Sequence, residues 1–208
     1  MEHDDFAVEP VRGLPEKPPA GEIILWQGRP DTWALAREAL NLNWIIGYFA
    51  VLIVWRVGAS SADYPFAQAL SHAIPFVLIG AVTAGLILLI AWVQAKATVY
   101  TVTTARVARR VGAALTVTLN LPYTRIEAAD LDLRKSGTGT IAFRTAGETK
   151  LSYLVLWPHV RPWHAKRPQP ALRCIPEAEK VARMIGEAVE TRLAQPAVAM
   201  RPQAMAAE

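Results

Sequence analysis

The chain has almost no cysteine and no recognisable secretory leader. Cys174 is the single cysteine among 208 residues, which excludes an internal disulfide and is typical of a segment kept in a reducing compartment. The first ten residues, MEHDDFAVEP, are acidic and polar, so we expect no signal peptide with a basic region followed by an apolar one. Membrane insertion would therefore depend on apolar runs inside the chain.

Charge is missing from one long stretch, Ala73–Ala95, which is 23 residues long and holds no charged side chain. As a helix this stretch would be about 34 Å long, enough to cross a hydrocarbon core of about 30 Å. A helix that is apolar on all sides finds too few partners in a small soluble domain. We therefore predict a transmembrane helix over residues 73–95.

A shorter apolar run, Leu42–Val57, precedes it in the chain. Trp44 and Trp55 bracket this run in the manner of interfacial anchors. We predict a transmembrane helix over residues 39–57, with an interfacial or buried helix as the alternative. A third span would follow only if Trp33–Leu42 were counted separately.

Residues 58–72 join the two runs into a hairpin and carry a single acidic charge. Basic residues lie instead on the two flanks of the hairpin, at Arg29, Arg37, Lys96, Arg106, Arg109 and Arg110. The positive-inside rule then places both termini in the cytoplasm of a bacterial inner membrane and residues 58–72 in the periplasm. We expect residues 1–38 to be a partly disordered cytoplasmic segment with a helix from about residue 32, and residues 195–208 to be a disordered tail.

After Lys96 the apolar pattern changes to a period of two, which is typical of β-strands. The pattern recurs in five runs: ATVYTVTTARVARRV, ALTVTLNLPYTRI, AADLDLRKSG, GTIAFRT and TKLSYLVLW. A final amphipathic helix from about Pro176 carries Val181, Met184, Ile185 and Ala188 on one face. Residues 96–194 are therefore predicted to form a small antiparallel sandwich or barrel, closed at its open end by this helix.

No arrangement of side chains indicates catalysis or a metal site. Gly137 and Gly139 lie between two strand patterns and belong to a hairpin turn rather than a phosphate-binding loop. His159, His164 and Cys174 are too widely spaced for structural zinc, which takes four closely paired ligands. We expect neither enzymatic activity nor a bound metal.

Three histidines are weak candidates for a pigment site. His72, His159 and His164 each offer an imidazole that could ligate the magnesium of a bacteriochlorophyll. Solvated loop histidines are the alternative interpretation, so no cofactor is assigned on this basis.

The charge of the chain is unevenly distributed. Residues 1–40 carry four Lys and Arg against eight Asp and Glu, whereas residues 96–208 carry 17 against nine. The basic part includes a tryptophan-containing cluster made of Trp157, Arg161, Trp163, Lys166, Arg167 and Arg173. We predict that this cluster binds a protein partner or anionic lipid, the alternative being a solvated loop whose tryptophans pack on the domain. No nucleic-acid motif accompanies the charge, and nucleic acid is not an expected partner.

Small residues recur four apart on the second apolar run, as Gly80 with Ala84 and Ala81 with Gly85. Such pairs allow another helix to approach closely. The approaching helix would be either the other arm of the hairpin or a second copy of the chain.

Several segments resemble known proteins. GEIILWQGRPD, ATVYTVTTARVARRVG, LPYTRIEAADLDL and GTGTIAFRT resemble the bacterial pleckstrin-homology-like (PH-like) domains attached to membrane hairpins. LPEKPPAGEIILWQGRPDTWALAREAL and VRPWHAKRPQPALRCIPEAEKVA resemble the PuhB family of photosynthetic complex assembly proteins from purple bacteria.

This resemblance implies a non-enzymatic scaffold or chaperone that assembles the photosynthetic reaction centre and its core light-harvesting antenna. Its partners would be reaction-centre subunits, core antenna polypeptides and anionic lipids, and it would form a homodimer. The family has no assigned catalytic residues, so the resemblance implies none in this chain. Two other functions remain open: a bacteriochlorophyll-binding or delivery protein, and a general envelope module that binds lipid or protein.

Overall fold

The structure is a computed structural model that describes residues 9–111, 117–147 and 151–194. Its helical part is a hairpin made of α2 (Leu42–Ser60) and α4 (Ile74–Lys96), preceded by α1 (Thr32–Glu38) and connected through the short helix α3 (Phe66–Ser71). At 1.5 Å per residue, α2 and α4 are about 28 and 34 Å long. Only 6% of the most apolar window of either arm is buried. Both helices are thus long and apolar enough to cross a membrane, and the predicted hairpin is confirmed.

The first arm is interrupted where the sequence predicted a continuous helix. Asp31 caps the N-terminus of α1, and its side chain accepts a hydrogen bond from the Ala34 amide at 2.8 Å. Asn41 then adopts a left-handed conformation with φ of 57°, a region that asparagine tolerates better than most residues. The chain therefore turns between α1 and α2, and the long arm starts at Leu42 rather than at residue 39.

The rest of the chain forms two antiparallel sheets. One contains β1 (Ile24–Gly28), β2 (Thr98–Thr103), β3 (Arg106–Val111) and β4 (Val117–Pro122) in that order, and the other contains β5 (Ile126–Leu133), β6 (Gly139–Thr145) and β7 (Ala171–Ile175). Helix α6 (Ala178–Ala194) packs against them. Their common core joins Tyr100, Phe143 and Ile175 from the sheets to Val181 and Ile185 from α6. The predicted antiparallel domain with a closing C-terminal helix is confirmed.

Three details of that prediction are corrected. β1 comes from the segment before the hairpin and pairs with β2, with Gln27 opposite Thr101, so the domain extends beyond residues 96–194. The run ATVYTVTTARVARRV is two strands, because the chain reverses between Thr103 and Arg106. Of the run TKLSYLVLW, the described residues 151–157 contain the short helix α5 (Tyr153–Leu156) and not a strand, because β7 occupies the edge of β6. The predicted disordered tail, residues 195–208, lies outside the described residues.

The two small-residue pairs of α4 differ in their surroundings. A Cβ atom built on Gly80 would lie 3.0 Å from Cγ of Phe49 on α2, and Ala84 packs on the buried cluster that includes Leu42 and Ala91. By contrast Ala81 is exposed, and a Cβ built on Gly85 would meet nothing within 4 Å. The first pair therefore serves contacts within the protomer, while the second pair lies on the open face of α4.

We expect this difference to appear in a matched pair of substitutions. Gly80→Ile should destabilise the hairpin by about 1–3 kcal/mol, because the added side chain overlaps Phe49 in an already packed contact. Gly85→Ile should leave stability nearly unchanged. Unfolding of the full chain in neutral detergent would check both, and equal effects at the two glycines would contradict the assigned helix contact.

Candidate functional site

The domain is joined to the hairpin through a compact apolar contact. Leu35 of α1 is fully buried together with Ala95 at the end of α4 and Cys174 in β7. The Asp31 amide donates to the Cys174 carbonyl oxygen at 2.7 Å, so the start of α1 is also hydrogen-bonded to the sheet. Burial, followed by the carboxylate of Glu38, raises the pKa of the Cys174 thiol to about 12. The thiol is a packing group here and stays protonated.

A chain of hydrogen bonds crosses the same junction. The Arg173 amide donates to Tyr100 Oη at 3.2 Å, and Tyr100 Oη lies 2.6 Å from His159 Nδ1. On the other side of the imidazole, His159 Nε2 lies 3.2 Å from Thr98 Oγ1, which donates to the Gln94 carbonyl oxygen at 2.7 Å. β7 is thereby connected to the last turn of α4 without a break.

The donor and acceptor in each bond follow from the two ends of the chain, the Gln94 carbonyl oxygen and the Arg173 amide. The Thr98 hydroxyl proton is engaged by Gln94, so Thr98 Oγ1 accepts from Nε2–H of His159. The other ring nitrogen, Nδ1, must then accept from the Tyr100 hydroxyl, which itself accepts from the Arg173 amide. The chain is fully satisfied only with a neutral imidazole. Burial, and then the charges of Arg109 and Arg173, lower the pKa of His159 well below its usual value.

Two buried arginines hold the loop that contains His159. Arg109 donates to the carbonyl oxygens of His159 at 2.7 Å and Leu156 at 3.3 Å. Arg173 donates to the Glu38 carbonyl oxygen at 3.1 Å, and more weakly to those of Pro158 and Val160. Among the described residues neither guanidinium forms an ion pair, and desolvation lowers the pKa of Arg109. These arginines fix residues 156–160 against both the sheet and α1.

The predicted basic and tryptophan cluster is therefore only partly a surface. Arg173 is buried in β7 and cannot contact a partner. Arg161 is half-buried and bonds Asp130 Oδ2 at 2.5 Å and Gln169 Oε1 at 3.1 Å, so its charge supports the loop. The remaining four, Trp157, Trp163, Lys166 and Arg167, are exposed.

Leu154 and Val155 of α5 are exposed as well, and they were missed as candidates because their run was predicted as a strand. Leu154 is 84% exposed and Trp163 is 96% exposed, which is unusual for side chains of this size. We call the set Leu154, Val155, Trp157, Trp163, Lys166 and Arg167 the loop surface. It lies on the segment whose residues 156–160 are fixed beside the end of α4. Exposed apolar and basic side chains on one segment, anchored next to the end of α4 through residues 156–160, have the composition of an interaction site.

The candidate pigment ligands are dispersed. His159 is buried with both ring nitrogens hydrogen-bonded, so that candidate is wrong. His72 lies at the far end of the hairpin, where its Nδ1 is 3.1 Å from Ser60 Oγ and its ring stacks edge-on with Tyr64. His164 is half-buried, with Nδ1 2.8 Å from the Pro162 carbonyl oxygen. Within residues 9–111, 117–147 and 151–194, no three His, Cys, Asp or Glu side chains are grouped to hold a metal ion.

Comparison with known proteins agrees with this architecture. The family model described as "Bacterial PH domain" matches residues 43–189, which is most of the chain. The chain belongs to the bacterial PH domain family. It is also 48% identical over 209 aligned positions to the "Uncharacterized 23.7 kDa protein in puhA 5'region" of Rhodobacter capsulatus, an alignment that covers 100% of this chain and 98% of that protein. No solved structure matches the chain. The family match begins at residue 43 and so omits β1, which the structure adds to the sheet.

The neutral state of His159 gives a pH-dependent stability. Because its folded pKa lies below the unfolded value of about 6.5, the unfolded chain binds the extra proton first, and stability is lost as pH falls from about 6.5 towards the folded pKa. The loss from this group should approach 1.4 kcal/mol per pH unit. His159→Asn should be less stable at pH 8 by about 1–3 kcal/mol but should lack this part of the acid slope.

Unfolding of the full chain in detergent at pH 8 to 5 measures both effects. His164→Asn is the matched control, because that ring is not enclosed, and it should keep the wild-type slope. Parallel slopes for wild type and His159→Asn would contradict the neutral buried imidazole.

Proposed function

We propose that the protein is a non-enzymatic assembly factor of the PuhB type for the photosynthetic reaction centre and its core light-harvesting antenna. The observation that supports this most is the 48% identity, over the whole chain, to a protein located by its name in a puhA gene region. That location hints at a role in photosynthesis. The resemblance of the RPW-containing segment to PuhB proteins points the same way.

The proposed topology follows the charge pattern. Both termini and the β domain lie on the cytoplasmic side of the bacterial inner membrane, and residues 58–72 face the periplasm. The reason is that the basic residues cluster at the opposite end of the hairpin, where α2 begins and α4 ends. α4 ends at Lys96 and β2 begins at Thr98, so the domain sits directly on the membrane surface. A domain at this position can contact a membrane polypeptide through a short cytoplasmic segment of that polypeptide.

The loop surface is the proposed contact for that partner. Its leucine, valine and two tryptophans offer apolar area, and Lys166 and Arg167 offer a basic rim for an acidic segment. Arg109 and Arg173 hold the backbone of residues 156–160 at its base, which lowers the entropy cost of ordering this part of the loop on binding. Assembly by such a protein consists of holding a nascent subunit at the membrane surface until the next subunit docks.

Loss of the protein should reduce reaction-centre content. Deleting the gene in a photosynthetic host should lower the amount of reaction centre while bacteriochlorophyll synthesis continues, because the proposed role follows pigment synthesis. Light-induced bleaching of membranes and total pigment extraction measure the two quantities. Normal reaction-centre content in the deletion strain would contradict the proposal, and bacteriochlorophyll purifying with the folded wild-type protein would favour the pigment-delivery alternative.

The loop surface can be tested separately. Trp163→Ala combined with Lys166→Glu and Arg167→Glu should fail to restore reaction-centre content and should lose crosslinks to photosynthetic subunits, while the protein itself accumulates normally. Arg161 is left unchanged because its bonds to Asp130 and Gln169 support the loop. Lys180→Glu with Arg183→Glu, on the exposed face of α6, controls for charge. Full restoration by the loop variant would exclude this surface.

A further inference from the structure

A second basic region lies on the hairpin side of the domain. A groove of about 730 Å³ opens between α1, the start of α2 and the β5–β6 turn. Arg37 and Asn41 line it from α1 and the following bend, Trp44 from the first turn of α2, and Arg134 and Lys135 from the β5–β6 turn. None of these residues belongs to the loop surface, and the sequence did not single out this combination.

The groove lies at the end of the apolar helix α2, next to two exposed tryptophans. Trp44 is the first of the continuous apolar residues of α2 and is 79% exposed, and Trp33 on the same groove is 55% exposed. Exposed tryptophans at the end of an apolar helix are typical of the lipid head-group level. With α2 spanning the membrane, the mouth of the groove therefore lies among lipid head groups.

The charge of the groove favours an anion. Its lining includes three cations, Arg37, Arg134 and Lys135, against two carboxylates, Asp31 and Glu38. Both carboxylates are already engaged, since Asp31 caps α1 and Glu38 accepts from Arg134 Nε at 3.2 Å. Among the described residues, Arg37 and Lys135 form no ion pair. Two basic side chains thus remain available to a negatively charged ligand.

We propose that this groove binds the phosphate of an anionic phospholipid in the cytoplasmic leaflet. Arg37 and Lys135 contact the phosphate, Asn41 and Asn43 supply neutral donors to the polar head, and Trp33 and Trp44 lie at the level of the upper acyl chains. A bound lipid of this kind seals the gap between the β5–β6 turn and the hairpin. This inference rests on the membrane topology proposed above but not on the assembly role, so the failure of either leaves the other testable.

The test uses the full-length protein purified in neutral detergent. Phosphatidylglycerol is the anionic probe and phosphatidylcholine the zwitterionic one, with bound lipid counted by native mass spectrometry at low salt. We expect wild type to retain phosphatidylglycerol in clear preference to phosphatidylcholine. Arg37→Gln with Lys135→Gln should weaken phosphatidylglycerol retention roughly tenfold or more, because each cation near a lipid surface contributes substantially to anionic lipid binding.

The matched control is Lys180→Gln with Arg183→Gln, which removes the same charge from exposed positions on α6. The control should change retention less than twofold. An equal loss in the two double variants, or no preference for phosphatidylglycerol in wild type, would overturn the proposal. Displacement of the lipid by inorganic phosphate at a comparable concentration would also overturn it, because the ligand would then be a free anion rather than a lipid.

Discussion

The burial of α1 between the hairpin and the sheet is the contact on which the rest of the structure depends. Leu35 is enclosed by Ala95 of α4 and Cys174 of β7, and Ala36 on the next position packs towards Leu42 and Ala91. Small side chains at these positions let a helix, a sheet and two long helices meet at one point. Because α1 is only seven residues long, this packing, and not intrinsic helix propensity, keeps it folded.

Polar groups at the same junction form directional hydrogen bonds, which set the orientation of the β domain relative to the hairpin. The hydrogen-bond chain starts at the Arg173 amide, passes through the side chains of Tyr100, His159 and Thr98, and ends on the Gln94 carbonyl oxygen in α4. Breaking such a network destabilises the fold, since each buried polar group left unpaired costs about 1–3 kcal/mol of folding stability. The two buried arginines extend the network to residues 156–160. Residues 156–160, at the base of the loop surface, are consequently held at a fixed position relative to the hairpin.

The sequence predicted those features whose signal is long or periodic. The uncharged stretch of α4, the alternation after Lys96 and the apolar face of α6 are each carried by many consecutive residues. β1 was missed because its five residues form a strand only by pairing with β2, which follows some seventy residues later, after the hairpin. Leu154 and Val155 suit a strand as well as a helix, so their exposed position was not predictable. His159 was predicted as a weak pigment-ligand candidate or a solvated loop residue, and Arg173 as part of a surface cluster, because polar residues of a loop are usually solvated. Only the fold brings their buried partners together.

The contacts around α1 join the β domain to the hairpin as one body. Pulsed electron–electron spin resonance between labels at Ser61, at the far end of α2, and Glu190, on the exposed face of α6, tests it directly. Cys174 is fully buried and should stay unlabelled, as the protein without added cysteines can verify. If the domain and the hairpin move as one body, the two labels should give a single narrow distance distribution in lipid nanodiscs. A broad distribution, showing that the domain swings freely on the hairpin, would contradict it.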